Sequence, residues 1–149
     1  MSSSEDELGP QLSARLTYLL KRALLDLEDL HAELLAPSGV NVRELAVLLL
    51  LDGHGPESQQ QAAARLGVDR TTMVGLLDGL ESRGLLARRA DPADRRRNVV
   101  VLTDAGRHAL AEARVASDEA ERRLLSGLDT ADALRLRELL SQVAVDRAP

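Results

Sequence analysis

Three residues, Gly67-Val68-Asp69, constrain what this chain can fold into more than any others. They are all that separates two helical patterns, so the helices they join must meet at a sharp turn. The first pattern, QQQAAARL, follows Ser58, whose hydroxyl suits a helix N-cap. The second follows another capping residue, Asp69, and runs from Arg70 to about Ser82 before Gly84 closes it. Gly67 stands where the turn needs positive φ, which glycine reaches without a Cβ penalty. A helix, a tight turn and a second helix make a helix-turn-helix.

A hairpin is predicted next. LLARR (85–89) and NVVVL (98–102) flank a polar tip that holds Asp91-Pro92 and Asp94, the turn formers an antiparallel pair needs. Three consecutive valines break strict alternation and allow burial on both faces near the end of the second strand. Upstream, Asn41 and Glu44 have capping-box spacing ahead of the apolar run LAVLLLL. A long helix is predicted from Pro10, with Leu16, Leu20, Ala23, Leu27, Leu30 and Leu34 in a heptad-like seam that Ala36-Pro37-Ser38-Gly39 stops. Thr103 caps an alanine-rich helix that Gly127 ends, and Asp129 or Thr130 starts the last one. The predicted class is mainly α with a small β-hairpin. Residues 1–9 form a flexible N-terminus, 41–103 a winged helix-turn-helix, and 10–36 with 104–149 a helical lobe.

With one tyrosine and neither phenylalanine nor tryptophan, the core must be leucine, valine and alanine. The absence of cysteine excludes disulfides, thiolate zinc sites and thiol redox chemistry. LAVLLLL is too short to span a bilayer, and the acidic, serine-rich start lacks the order of a signal peptide. A cytoplasmic protein without membrane contact is expected. His31, His54 and His108 fall on separate elements without metal-ligand spacing, so no metal and no cofactor is expected. No nucleophile elbow or phosphate-binding loop occurs, which argues against an enzyme.

Charge points elsewhere. The net value is −5, yet residues 58–107 hold nine arginines against six acids, a local +3. Arg95, Arg96 and Arg97 are consecutive at the hairpin tip, where they repel one another. A polyanionic partner relieves that repulsion, and folding alone does not. On a helical wheel, Thr71, Thr72, Gly75, Asp78, Gly79 and Ser82 share one side of the second helix and Met73, Val74, Leu76, Leu77 and Leu80 the other. The polar side carries no large side chain, so it can lie deep in a major groove, with Arg70, Thr71 and Thr72 in the first turn to meet phosphate or base edges.

The order L-D-G-L-E-S-R-G-L-L-A-R, then D-P-A-D-R-R, then V-x-L-T-x-x-G resembles the MarR family of bacterial transcription regulators across 58–106. The resemblance implies a homodimeric, sequence-specific regulator of double-stranded DNA, in the first instance a repressor, with a roughly palindromic operator. Its N- and C-terminal helices would form the dimerisation lobe. The helix over 70–82 would be the recognition helix, Arg95 the minor-groove arginine of the wing, and Asp94 an acid that orients the wing arginines. The DNA-contacting set implied is Ser58, Gln59, Arg70, Thr71, Thr72, Gly75, Asp94, Arg95, Arg96 and Arg97, with Arg96 and Arg97 paired to Asp91 or Asp94 or set on phosphate. Gly75 and Gly79 depart from the family's longer polar residues, which shifts weight from base readout to the wing and DNA shape. A small-molecule effector is also implied; Arg15, Tyr18, Arg22 and His31 could line its pocket, although solvated positions on an amphipathic helix are the plainer reading. The alternative function is a winged-helix adaptor that contacts proteins and no DNA.

Overall fold

The computed structural model describes residues 3–145. Among them seven α-helices and two strands follow one another: α1 (Ser3–Ser13), α2 (Leu16–Leu35), α3 (Val42–His54), α4 (Gln59–Leu66), α5 (Arg70–Ser82), β1 (Leu86–Ala90), β2 (Asn98–Leu102), α6 (Asp104–Leu124) and α7 (Thr130–Val145). The mainly α class with one small hairpin is what the sequence predicts. The N-terminus differs. The segment expected to be flexible, 1–9, is helical from Ser3, and Met1 and Ser2 lie outside the described residues. Gly9 breaks α1 with φ 76° and ψ 159°, and Pro10 starts its second half, as a ring without N–H does best at a helix start. A second interruption at Ala14–Arg15 separates α1 from α2, so the predicted single helix from Pro10 is two.

The described chain divides into two compact units. One spans His31–Asp118; the other comprises the residues up to Leu30 and from Glu119 on. The first is longer at both ends than the 41–103 expected for the winged helix. The reason is the core: Leu35 at the end of α2 and Leu110 and Ala113 on α6 join Leu45, Leu48, Leu51, Met73, Leu77, Leu80, Leu86 and Val100 in one buried cluster.

Within this unit local sequence sets the helix starts. The Asn41 carboxamide oxygen accepts from the Glu44 amide at 2.9 Å while Glu44 accepts from the Asn41 amide at 3.0 Å. Ser58 and Gln61 repeat the capping box on α4, both bonds 3.1 Å. Gly67 turns the chain at φ 63° and ψ 32°. The strands pair antiparallel, Leu86 opposite Leu102 and Ala90 opposite Asn98. Val99 and Val100 are both buried, and the cause is a third backbone partner: Val100 donates to the Glu57 carbonyl at 2.7 Å and accepts from the Glu57 amide at 3.3 Å.

The hairpin is clamped to α6 at one point. The Thr103 hydroxyl donates to the Gly84 carbonyl at 2.6 Å and accepts from the Gly106 amide at 3.0 Å. A Cβ on Gly106 would stand 1.9 Å from the Leu85 carbonyl oxygen, so only glycine fits this approach.

The other unit has almost no interior of its own. Ala120 is its one buried side chain among the described residues, while Leu16, Leu19, Leu20, Leu24 and Leu25 on α2 and Leu134, Leu139, Leu140 and Val143 on α7 are exposed. Leucines of α2, α6 and α7 line a hollow of about 1050 Å³. No single described helix is long and apolar enough to cross a membrane.

Candidate nucleic-acid interface

The interface is built from α5 and the hairpin. Met73, Leu77 and Leu80 are fully buried and fix which side of α5 faces inward. The opposite side carries Thr71, Gly75, Asp78 and Ser82, all exposed. A Cβ at Gly75 or Gly79 would meet nothing within 4 Å, so neither glycine is required by packing inside the protein. Asp69 starts the helix: its carboxylate accepts from the Thr72 amide and the Thr72 hydroxyl, each at 2.8 Å. The Thr72 amide bond, followed by the hydroxyl bond, holds the Asp69 carboxyl below its ordinary range. Thr72 is therefore engaged with the cap, whereas Arg70 and Thr71 stand exposed beside it.

Ser58 caps α4 and Gln59 is its first residue, and both side chains are engaged within the protein. Ser58 is buried with its hydroxyl on the Gln61 amide, and the Gln59 side-chain oxygen accepts from Arg88 at 3.3 Å. Arg88, one of the nine arginines of the basic middle segment, carries no role in the sequence pattern. It is the hub of a network: its guanidinium donates to Asp78 at 2.7 Å and Glu81 at 2.9 Å, and its amide donates to Glu81 at 3.2 Å.

Four of the nine arginines are spent on such pairs. Arg65 meets Glu57 at 2.9 Å, Arg107 meets Asp104 at 3.0 Å, Arg83 pairs with Glu44, and Arg88 takes two acids. Arg70, Arg89, Arg95, Arg96 and Arg97 form no ion pair among the described residues. Of the two alternatives for Arg96 and Arg97, a pair with Asp91 or Asp94 or a place on phosphate, no such ion pair is present among the described residues, and those carboxylates shape the turn. Asp91 accepts from the Ala93 amide at 2.9 Å and Asp94 from the Arg96 amide at 3.1 Å. The Asp91 amide closes the tip on the Arg97 carbonyl at 2.8 Å. Each acid gives one carboxylate oxygen to a backbone amide, and Arg95, Arg96 and Arg97 remain exposed at the tip.

The four residues considered for an effector fall in both compact units. Tyr18 and Arg22 line the apolar hollow, with Arg22 3.8 Å from Asp26. Arg15 is exposed and not part of that lining. His31 belongs to the other compact unit, where it is buried with Nε2 2.9 Å from the Ser117 hydroxyl. No cluster of metal-binding side chains occurs among the described residues.

A family profile described as MarR family matches residues 38–97. A transcriptional regulator of that family from a Rhodococcus species is 31% identical, the match covering 91% of this chain and 97% of that one, with a TM-score of 0.82. The chain belongs to the MarR family. This MarR-family chain is also similar to CouR of Rhodococcus jostii, solved with p-coumaroyl-CoA, at 32% identity over 93% of this chain and 97% of that one, with a TM-score of 0.81. The repressor CouR bound to a 23-mer DNA duplex is 37% identical over 90% of this chain and 95% of that one, with a TM-score of 0.83. The transcriptional repressor NicR of Pseudomonas putida is 36% identical over 63 residues, 42% of this chain, and the chain spans only 40% of that curated relative's length. The MarR relatives are regulators of transcription, which agrees with the expectation that the chain is not an enzyme.

Proposed function

We propose that this MarR-family protein is a homodimeric, sequence-specific regulator that binds double-stranded DNA in the cytoplasm and acts in the first instance as a repressor. The observation that carries the proposal is a bare-faced α5 beside a wing tip whose three arginines are free of every acid near them. α5 enters the major groove with Arg70, Thr71 and the Gly75 surface foremost, and Ser58, Gln59 and Thr72 hold that surface in register while offering what capacity they have left to phosphate. Asp94 fixes the tip, Arg95 reaches the adjacent minor groove, and Arg96 and Arg97 sit against phosphates. A narrow minor groove is a strongly negative slot, and an arginine there reads groove width more than base identity.

The exposed leucines of α2 and α7 support a second copy as their cover, because a monomer would leave two leucine-rich helix faces in water. Two-fold symmetry then presents two recognition helices to one duplex, and the operator is roughly palindromic. CouR, a relative solved with an acyl-CoA, supports a small-molecule effector for this chain as well, with Tyr18 and Arg22 at the apolar hollow as its first contacts.

The test is retention of sheared genomic DNA at low salt followed by sequencing of the retained fragments. A palindromic motif is expected, with affinity falling by about three to five decades between roughly 50 and 200 mM salt if six to ten phosphates are contacted. Failure to retain DNA at any salt would leave an adaptor that binds only proteins.

A further inference from the structure

Asp78 poses a problem for any surface that approaches DNA. It is exposed at the middle of the bare α5 face, between Gly75 and Ser82, with Glu81 on the flank toward β1. Two carboxylates on a recognition helix would face a lattice of phosphates, and unscreened like charges at short range repel strongly. The structure carries the answer in Arg88, which reaches from β1 to both acids and to Gln59 of α4 at once. Its side chain is 25% exposed against 61% for Asp78 and 41% for Glu81, so the cation is the most buried charge of the cluster. A cation less open than the acids it meets serves first to neutralise them. Its planar fork suits this task, since separate nitrogens serve separate acids.

We propose that Arg88 is a positioning residue that makes α5 electrostatically fit for DNA by cancelling the charge of Asp78 and Glu81, while tying the recognition helix to the base of the wing. The inference rests on the DNA-binding reading above. Arg88 together with the two acids carries one net negative charge; without the arginine the same patch carries two. The effect is on association with a polyanion as such, so it applies to operator and non-operator duplexes alike.

The experiment compares binding of a sheared genomic duplex by the full chain and three variants, with thermal midpoints measured in parallel. Arg88→Met should weaken binding by about tenfold or more at low salt, less at high salt, in keeping with screened like-charge repulsion. Arg88→Met combined with Asp78→Asn and Glu81→Gln should return to the parental affinity or better, although the lost ion pairs are not restored. Asp78→Asn with Glu81→Gln alone, which keeps Arg88 and needs no buried change, should bind more tightly than the parent. A triple variant as weak as Arg88→Met would mean that Arg88 acts by geometry or by touching phosphate, and would overturn the proposal. So would a double variant that binds no better than the parent, including the case in which Arg88→Met fails to fold. If the parent itself retains no DNA, the functional reading falls and this inference with it; if the parent binds and the variants do not follow this order, only the inference falls.

Discussion

Glycines show how little a residue type reveals until its neighbours are known. In the sequence Gly75 and Gly79 read as costs of about 1 kcal/mol each relative to alanine in a helix, and Gly106 reads only as the last letter of a motif. The structure separates them: a Cβ meets nothing within 4 Å at the first two and a backbone oxygen at 1.9 Å at the third. Gly106→Ala should therefore destabilise the protein by about 2–3 kcal/mol, because a main-chain carbonyl that accepts from the Thr103 amide at 3.3 Å cannot swing aside as a side chain can. Urea unfolding measures this, and a shift near zero would mean that Leu85 moves freely. Gly75→Ala and Gly79→Ala should do the reverse, each raising stability by about 0.5–1 kcal/mol while weakening DNA binding. A pair of variants that are more stable and bind DNA as tightly as the parent would show that the bare face has no binding role. The sequence could point to that face because it is a property of one helix; the Gly106 approach joins segments 21 residues apart and has no local signature.

Elements were legible where their signals are local. The Asn41 capping box, the Ser58 and Asp69 caps and the Gly67 turn follow from residues within four positions of one another, and the hairpin from two short strand patterns on either side of a turn-forming tip. The break at Gly9, the Glu57–Val100 bridge and the Arg88 network depend on partners elsewhere in the chain, or on a competition between helix ends that spacing does not register. The Asp69 cap carries a pH prediction. Its folded pKa lies below its unfolded value, so the cap contributes stability that is present above the unfolded value near 3.8 and lost as pH falls through the folded one. Glu119, held by Arg122 and then Arg123, behaves the same way, with its carboxyl lowered to about 2. Asp69→Asn keeps a good N-cap but has no proton to take up, so its thermal midpoint should fall less steeply than the parent's below pH 4. Identical acid limbs for the two proteins would show that the cap does not persist in solution.

For the whole molecule, charge and apolar surface tell one story from opposite ends. The acidic total concealed a basic middle, and the structure narrows that middle further, since Arg65, Arg83, Arg88 and Arg107 are paired and the free guanidinium groups stand mainly on the hairpin. The leucine-rich pattern of α2 promised a helix with more than one face to bury, and in a single chain Leu16, Leu19, Leu20, Leu24 and Leu25 remain uncovered, while Leu27, Leu30 and Leu34 are half-buried. In the proposed dimer such a protein would gain twice from pairing: leucines would leave water, and two reading heads would share one duplex. Linking two weak contacts in this way raises the joint affinity by about 10²–10⁴-fold over one head alone. Leu20→Glu on α2 or Leu140→Glu on α7 should therefore yield a monomer by light scattering while near-native signals from the His31–Asp118 core persist. The same variants should lose about two or more decades of operator affinity, although each lies on the unit that carries none of the proposed DNA contacts. A monomeric variant that keeps the parental affinity would mean that each winged helix reads its site alone, and the leucine faces would then need another partner to explain them.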